Sequence, residues 1–387
     1  MIASSSLSTK GMRESLCANI DRIKTKNLFR NLEILPKNLI NFSSNDYLGL
    51  SQNLAVRKKA ADAAMDYGSG SGASRLISGN LKIHDQLEEK IARFKHEESA
   101  LIFSSGYLAN LGVLTALADE RDVIVLDRLN HASLVDGARL SRAKLWVYPH
   151  RDVDSLRAIL KRAKKFRRRL VVTDAYFSMD GDVAPLDKIL EICEETESLL
   201  MVDEAHSTGV FGRHGQGLTE HFGLEGRIPV VMGTLSKALA STGGFVAGNK
   251  ILKETLINGA RSFIYTTAPV PAASAAALAS IEWIEKNQKT LEHYHARIQT
   301  IRASLEEAGF NLLDSEGPII PLAIGDTNKT LRLRDFLRKD NIFVSAIRPP
   351  TVPKHTDRLR ISLKATHTTA EIQQLLGTLT KARKSIL

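Results

Sequence analysis

The sequence predicts an α/β chain: a large domain around a mostly parallel sheet with covering helices, then a smaller α+β domain. Three observations carry this. Short apolar runs recur through the middle of the chain: "DVIVLD" (122–127), "KLWVYP", "RLVVTDAYF", "SLLMVDEA", "PVVMGTL" and "GGFVAG". Unbroken runs of that length fit strands buried on both faces, as parallel strands are. Helix-like stretches such as 152–166 and 186–197 lie between several of the runs, and this alternation implies a parallel sheet covered by helices. After Pro269-Val270-Pro271 the texture changes to a long alanine-rich segment, "PAASAAALASIEWIEKNQ", and then to mixed elements.

Taken in order, residues 1–45 are expected as an N-terminal segment packed on the small domain or on a partner subunit. The large domain is expected over 46–270. In "HDQLEEKIARF", Leu87, Ile91 and Phe94 share one helical face. "IFSSGYLANLGVL" (102–114) reads as an apolar stub, a turn through Ser105, and a helix whose first N–H groups come from Gly106 and Tyr107. "NHASLVDG" (130–137) places His131 at a helix start just after the run 122–127. Asp174, Asp203 and Thr234 fall at the carboxyl ends of strands, where ligands gather in open α/β sheets. The small domain is expected over 271–387. It comprises the alanine-rich helix, a helix near 290–308, "PIIPLAI", a helix near 328–339, "IFVSAI", "RLRISLKA" and a last helix from about Thr368.

Composition excludes several classes. The 387 residues are 43% hydrophobic and 25% charged, which fits a large core rather than a disordered chain. No apolar run approaches the length needed to cross a bilayer. The start "MIASSSLSTKGMRESLC" lacks the apolar centre of a secretory signal. Cys17 and Cys193 imply neither a disulfide framework nor a cysteine-based zinc site. The expectation is a soluble cytoplasmic protein without a metal or a membrane partner. The net charge is +10, part of it in "KRAKKFRRR" (161–169). Such a run is usually a solvated helix end. Its functional alternative is attraction to a phosphate-bearing substrate or an acidic carrier protein. Nucleic acid is disfavoured because no aromatic residues interleave the basic ones for base stacking.

"LLMVDEAHSTG" (199–209) contains Asp203-Glu204-Ala205-His206, the four letters of a helicase ATPase motif. A nucleotide motor also needs the phosphate loop G-x-x-x-x-G-K-[ST]. The dipeptide Gly-Lys occurs nowhere in the chain, and "GSGSGAS" (68–74) has no lysine. The motor reading is set aside.

The same strand end suits pyridoxal phosphate (PLP) chemistry. That chemistry needs a lysine for the Schiff base, an acid beside the pyridine nitrogen, N–H donors for the phosphate and a planar wall for the ring. Lys237 follows a strand in "VVMGTLSKALASTGG", together with Thr234 and Ser236. A buried unpaired Asp203 is costly, and a protonated pyridine would be a fitting partner. His131 is placed to stack on the ring, and His206 to reach its hydroxyl. Singly, each residue has an ordinary structural explanation, such as a cap, an arginine pair or a solvated lysine. In this order, each at a strand's carboxyl end, they point to one site.

"NFSSNDYLGLS" (41–51), "LISGNLKIHDQLEEKIARF" (76–94), "SSGYLANLGVL", "DRLNHASLVDGARLS" (127–141), "FSMDGDVAPL" (177–186), "MVDEAHSTGVFGRHGQG" (201–217) and "GTLSKALASTGGFVAG" (233–248) together resemble the α-oxoamine synthases. The resemblance covers about residues 20 to 380. It implies a PLP-dependent transferase of fold type I, aspartate-aminotransferase-like, with a seven-stranded sheet. It makes Lys237 the Schiff-base lysine, Asp203 the pyridinium partner and His131 the stacking histidine. Ser178 and His206 match groups near the ring hydroxyl, and Thr234 with Ser105, Gly106 and Tyr107 matches the phosphate site. Thr266 and Thr267, in "SFIYTTAP", resemble a segment that reaches the phosphate of a neighbouring subunit, which implies a homodimer with shared active sites. Asn45 and Arg348 would hold the amino-acid carboxylate. Thr351, Arg30 and Ser74 are the remaining substrate candidates. "AIRPPTVPKHTDRLRISLKATHT" (346–368) looks most like the branch that condenses L-alanine with a pimeloyl thioester, on coenzyme A or an acyl carrier protein, in biotin biosynthesis. Another branch, such as that joining glycine to acetyl-CoA, is the alternative.

Overall fold

The computed structural model describes residues 10–25 and 28–386; parts of the expected N-terminal segment, residues 1–9, 26 and 27, lie outside the described residues. Seven strands form the main sheet: β1 (Ser99–Phe103), β2 (Val123–Asp127), β3 (Lys144–Tyr148), β4 (Arg169–Asp174), β5 (Leu199–Asp203), β6 (Val230–Thr234) and β7 (Gly244–Gly248). Their order across the sheet is β1-β7-β6-β5-β4-β2-β3. Neighbours pair in parallel except at β7, which is antiparallel to both β1 and β6. The mostly parallel sheet read from the sequence is thus present, with β7 as its one reversed strand.

Both faces of the sheet are buried. In β2, Val123 and Val125 join one core cluster while Ile124 and Leu126 join the other; in β5, Leu200 and Val202 part from Met201 in the same way. Side chains still alternate, but both faces demand apolar residues, which is why the strands read as continuous runs. Four of the strands end on a polar residue, Asp127, Asp174, Asp203 or Thr234.

A second, antiparallel sheet pairs Arg358–Ser362 with Ser345–Ile347 on one side and Ile319–Ala323 on the other. Leu359 and Ile361 are fully buried in the core. Arg358 and Arg360 alternate with them and reach toward the loop after β4. Arg358 donates to the carbonyl of Met179 and pairs with Asp180, and Arg360 donates to the carbonyl of Ser178. Ile40–Asn41 pairs in parallel with Ile342–Phe343, tying the N-terminal stretch to this region.

The alanine-rich helix Pro271–Lys286 was grouped by its texture with the C-terminal domain. It packs instead on helices Leu54–Tyr67 and Lys82–Phe94: Ala276 and Ala279 meet Val56, and Ala275 meets Ala63 and Ile83. Small side chains let helices approach closely, which accounts for the composition.

The basic run 161–169 spans the end of helix Val153–Arg162, a turn, and the first residue of β4. It therefore lies at the amino ends of the strands, away from Asp203 and Thr234. Arg167 pairs with Asp119 and Asp122, and Arg168 and Arg169 donate to the carbonyls of Leu117 and Glu197. Much of the run is used in local structure. No helix among the described residues is long and apolar enough to cross a membrane.

Candidate active site

Asp174 and Asp203 sit opposite each other where β4 and β5 end. They are 6% and 4% exposed, and neither has a salt-bridge partner among the described residues. Asp203 is held by polar hydrogens instead. Its Oδ2 accepts the Asn110 amide at 2.7 Å, and its Oδ1 accepts the N–H of Ala205 at 2.8 Å. The other Asn110 amide hydrogen goes to Ser133 Oγ at 2.8 Å.

Ser133 in turn fixes His131. Its hydroxyl lies 2.7 Å from His131 Nδ1, and its N–H donates to the same nitrogen at 3.3 Å. An Nδ1 that accepts leaves the ring proton on Nε2. His131 is the N-cap of helix Ala132–Leu140, and its own N–H is anchored on Asp174 Oδ2 at 2.9 Å. The cap is thus observed, and the same geometry leaves the imidazole at the strand ends beside Asp203. Desolvation lowers its pKa, so the imidazole stays neutral; Lys237 adds to this and Asp203 opposes it.

His206 is buried beside Tyr47, with Tyr47 Oη 2.7 Å from His206 Nδ1. Burial pushes the phenol up to about 12, so it keeps its proton and donates it to the imidazole. His206 therefore carries its proton on Nε2. Burial lowers its pKa well below the usual value, and Lys237, Arg360 and His131 add to the effect.

Lys237 is half-buried in the turn after β6. Burial brings its pKa down to about 8, against the pull of Asp203 and Asp174, while Arg360 adds to the lowering. An amine so placed exchanges protons near neutral pH, as an active-site lysine must. Asp174 goes the other way. Burial, and then the charge of Asp203, raise its carboxyl well above the usual range.

Ser105 caps helix Gly106–Leu117, its Oγ accepting the N–H of Leu108 at 3.1 Å. The helix start lies against β6: a Cβ on Gly106 would come within 3.4 Å of Thr234 Oγ1. Thr234 Oγ1 lies 2.8 Å from Ser236 Oγ. Free N–H groups at a helix start, flanked by two hydroxyls, make a phosphate site. Tyr107 turns outward, its hydroxyl bonded to Asp136.

These residues fit PLP. Asp174 and Asp203 lack a salt-bridge partner among the described residues, Lys237 is close enough to act on their charge, and the helix start offers donors for a phosphate. Ser178 lies on the loop after β4, where its carbonyl receives Arg360.

The substrate residues divide. Asn45 Oδ1 accepts Arg360 Nη2 at 3.2 Å, not Arg348. Arg348 instead donates to the carbonyl of Phe29, and Arg30 reaches Thr351 Oγ1 at 3.0 Å, along a separate cleft. Asn45, expected beside Arg348, is thus paired with Arg360, the arginine that the second sheet carries toward the loop of Ser178. Ser74 lies elsewhere, beside the Thr266–Thr267 segment: the preceding Ala73 accepts the N–H of Ala268. Thr267 meets the phosphate turn through its carbonyl, which accepts Ser104 Oγ.

Sequence reasoning missed Asn110, Ser133, Tyr47 and Arg360. Glu204, part of the motif set aside with the motor reading, has a structural role. Glu204 is fully buried, paired with Lys95, and its Oε1 accepts the N–H of Thr219 at 2.7 Å. A carboxylate committed in this way does not serve a nucleotide motor's magnesium.

A family model for class I and II aminotransferases matches residues 37–379. An 8-amino-7-oxononanoate synthase of Lysinibacillus sphaericus is 44% identical over 350 residues, 90% of each chain. One of Anaeromyxobacter dehalogenans is 44% identical over 381 residues, 96% of each chain. Among solved structures, a serine palmitoyltransferase of S. paucimobilis with bound PLP superposes with a TM-score of 0.90 at 29% identity, covering 97% of this chain and 98% of that one. An 8-amino-7-oxononanoate synthase of Francisella tularensis gives 0.78 at 31% identity, covering 90% of this chain and 99% of that one.

Proposed function

The chain belongs to the class I and II aminotransferase family, in its α-oxoamine synthase branch, and from that membership we propose that it condenses L-alanine with a pimeloyl thioester. The products are 8-amino-7-oxononanoate, carbon dioxide and the free thiol, as in biotin biosynthesis. The observation that carries the reading is the arrangement of Lys237, Asp203 and His131 at the strand ends, in a chain 44% identical to curated synthases of this kind.

PLP, when bound, supplies the electron sink that makes the alanine α-proton removable. Asp203, oriented by Asn110 and the Ala205 N–H, is placed as the partner for the ring nitrogen. Lys237 Nζ takes the α-proton and later returns one to the product. His131 walls the ring, and its Nε2–H is available to an oxyanion, first on the thioester carbonyl and then as the alanine carboxylate leaves. His206 offers its Nε2–H to the ring hydroxyl, together with Ser178. Arg360 and Asn45 hold the alanine carboxylate, since a guanidinium fork binds both oxygens.

The phosphate falls to Ser105, Gly106, Tyr107, Thr234 and Ser236, with Thr266 and Thr267 contributed by a second copy. The active form in this reading is a cytoplasmic homodimer. Exposure of Tyr265 at 72%, beside Thr266, supports a segment that acts outside its own chain.

The test is turnover of alanine, glycine and serine against pimeloyl, succinyl, acetyl and palmitoyl thioesters. Serine is included because serine palmitoyltransferases share the fold so fully. Alanine with the pimeloyl donor is expected to dominate. Dominance of glycine with the acetyl donor would reject the substrate assignment and keep the family.

A further inference from the structure

His150, just past the end of β3, lies between two buried carboxylates. Its Nδ1 is 2.9 Å from Asp127 Oδ1, and its Nε2 is 2.7 Å from Asp182 Oδ2. A neutral imidazole donates from one nitrogen only, so a ring that faces a carboxylate at each end is an imidazolium. Burial would depress its pKa, but the two carboxylates outweigh burial and raise it to about 9. Phe177 packs edge-on against the ring, with centroids 4.4 Å apart. The proposed chemistry uses none of His150, Asp127 and Asp182.

The two carboxylates are not equally secure. Asp127 ends β2 and has backbone donors of its own, the N–H of Leu129 at 2.8 Å and that of Arg151 at 2.9 Å. The turn it holds leads into His131, and Asn130 ties that turn to β4 at Val172 and Asp174. Asp182 lacks such support. Among the described residues its Oδ1 is buried without a hydrogen-bond partner, and its Oδ2 meets only His150 and, at a looser 3.3 Å, Arg151. A buried carboxylate in that position depends on its cations.

Asp182 closes the hairpin that carries Ser178. The N–H of Phe177 donates to the Asp182 carbonyl at 3.0 Å, that of Gly181 to the Phe177 carbonyl at 2.8 Å, and Tyr176 bridges to Val183. The other side of the hairpin receives the second sheet: Arg360 donates to the Ser178 carbonyl, and Arg358 pairs with Asp180. A line of contacts therefore runs from His150 through Asp182 to Ser178 and Arg360.

We propose that His150 is a positioning residue: by bridging Asp127 to Asp182 it fixes the Ser178 hairpin against the sheet, and so sets the place of Arg360 for the substrate carboxylate. The inference rests on the reading that Arg360 holds the alanine carboxylate. The turn before His131 keeps its own donors, so loss of His150 falls on the hairpin. Amino-acid binding then suffers more than the chemical step.

Two measurements test this. In His150→Gln, hydrogen exchange of the cofactor-free protein is expected to quicken by about tenfold or more across 177–182, as local opening becomes easier, and to stay as in wild type across 127–131. In the PLP-loaded enzyme the same variant is expected to raise KM for alanine about tenfold, with kcat changed far less. His150→Gln/Asp182→Asn removes both charges and is expected to recover much of that loss. Arg167→Gln is the control. It breaks the pair with buried Asp122 at the amino ends of the strands, and is expected to lower stability without moving KM for alanine. Should His150→Gln fail to fold, Asp182→Asn carries the same two measurements with the same expected directions. Unchanged exchange in the hairpin, an unchanged KM, a kcat that falls as far as KM rises, a double variant as impaired as His150→Gln, or an equal KM shift in the control overturns the positioning role. If the wild-type enzyme turns over no acyl thioester, the functional reading falls instead, and exchange in the cofactor-free protein still decides the link between His150 and the hairpin.

Discussion

Asn110 and Asp203 are joined by a 2.7 Å hydrogen bond from amide to carboxylate. The same amide nitrogen reaches Ser133, which sets the His131 tautomer. The acid proposed for the cofactor nitrogen and the imidazole proposed for its ring therefore share one support, built from helix Gly106–Leu117.

Asp203→Asn should keep the fold and lower kcat by about 10²–10³-fold, the usual cost of one lost electrostatic contact to developing charge. Asn110→Ala should cost less, about tenfold, since it removes one hydrogen bond and leaves the carboxylate. Steady-state kinetics with alanine checks both. Equal effects would mean that Asp203 acts only through its hydrogen bonds.

Arg360→Lys should raise KM for alanine by about 10- to 100-fold, from loss of a charged contact worth about 1.5–3 kcal/mol. Arg348→Lys should leave KM for alanine unchanged. The reverse pattern would restore the clamp first read from the sequence.

Legibility differed by residue. Asp203, Lys237, Thr234 and His131 were readable because apolar strands deliver a polar residue at their ends, and local pattern alone shows that. Arg360 was not. "RLRIS" alternates as a half-exposed strand does, and only the loop carrying Ser178 to Asp180, distant in sequence, turns its outer face into an interior. Nothing in the local pattern marks Lys95, at the end of helix Lys82–Phe94, as buried, yet its side chain is 1% exposed.

The buried Lys95–Glu204 pair predicts an asymmetric stability pattern. Glu204→Ala strands a buried ammonium and should cost about 3–5 kcal/mol. Lys95→Met/Glu204→Leu removes both charges and should recover most of that. Thermal midpoints of the three proteins check it, and a double variant as unstable as Glu204→Ala would contradict it.

His150 predicts a pH effect. Burial alone would depress its pKa, but hydrogen bonds to Asp127 at 2.9 Å and Asp182 at 2.7 Å outweigh it and raise the pKa from 6.5 to about 9. A histidine raised in the folded state stabilises fully below the unfolded value. That stability is lost as pH rises through the folded value. The thermal midpoint should therefore fall between pH 6.5 and about 9, and fall less in His150→Gln. Parallel curves for the two proteins would remove His150 as the cause.

The central claim is that Lys237 is the residue that holds PLP. Borohydride reduction of the PLP-reconstituted protein, followed by peptide mapping, tests it directly. A stable pyridoxyl group on Lys237 Nζ, absent from Lys237→Ala, is the expected result. A wild-type protein that takes up no PLP, or that carries the label on another lysine, would contradict it.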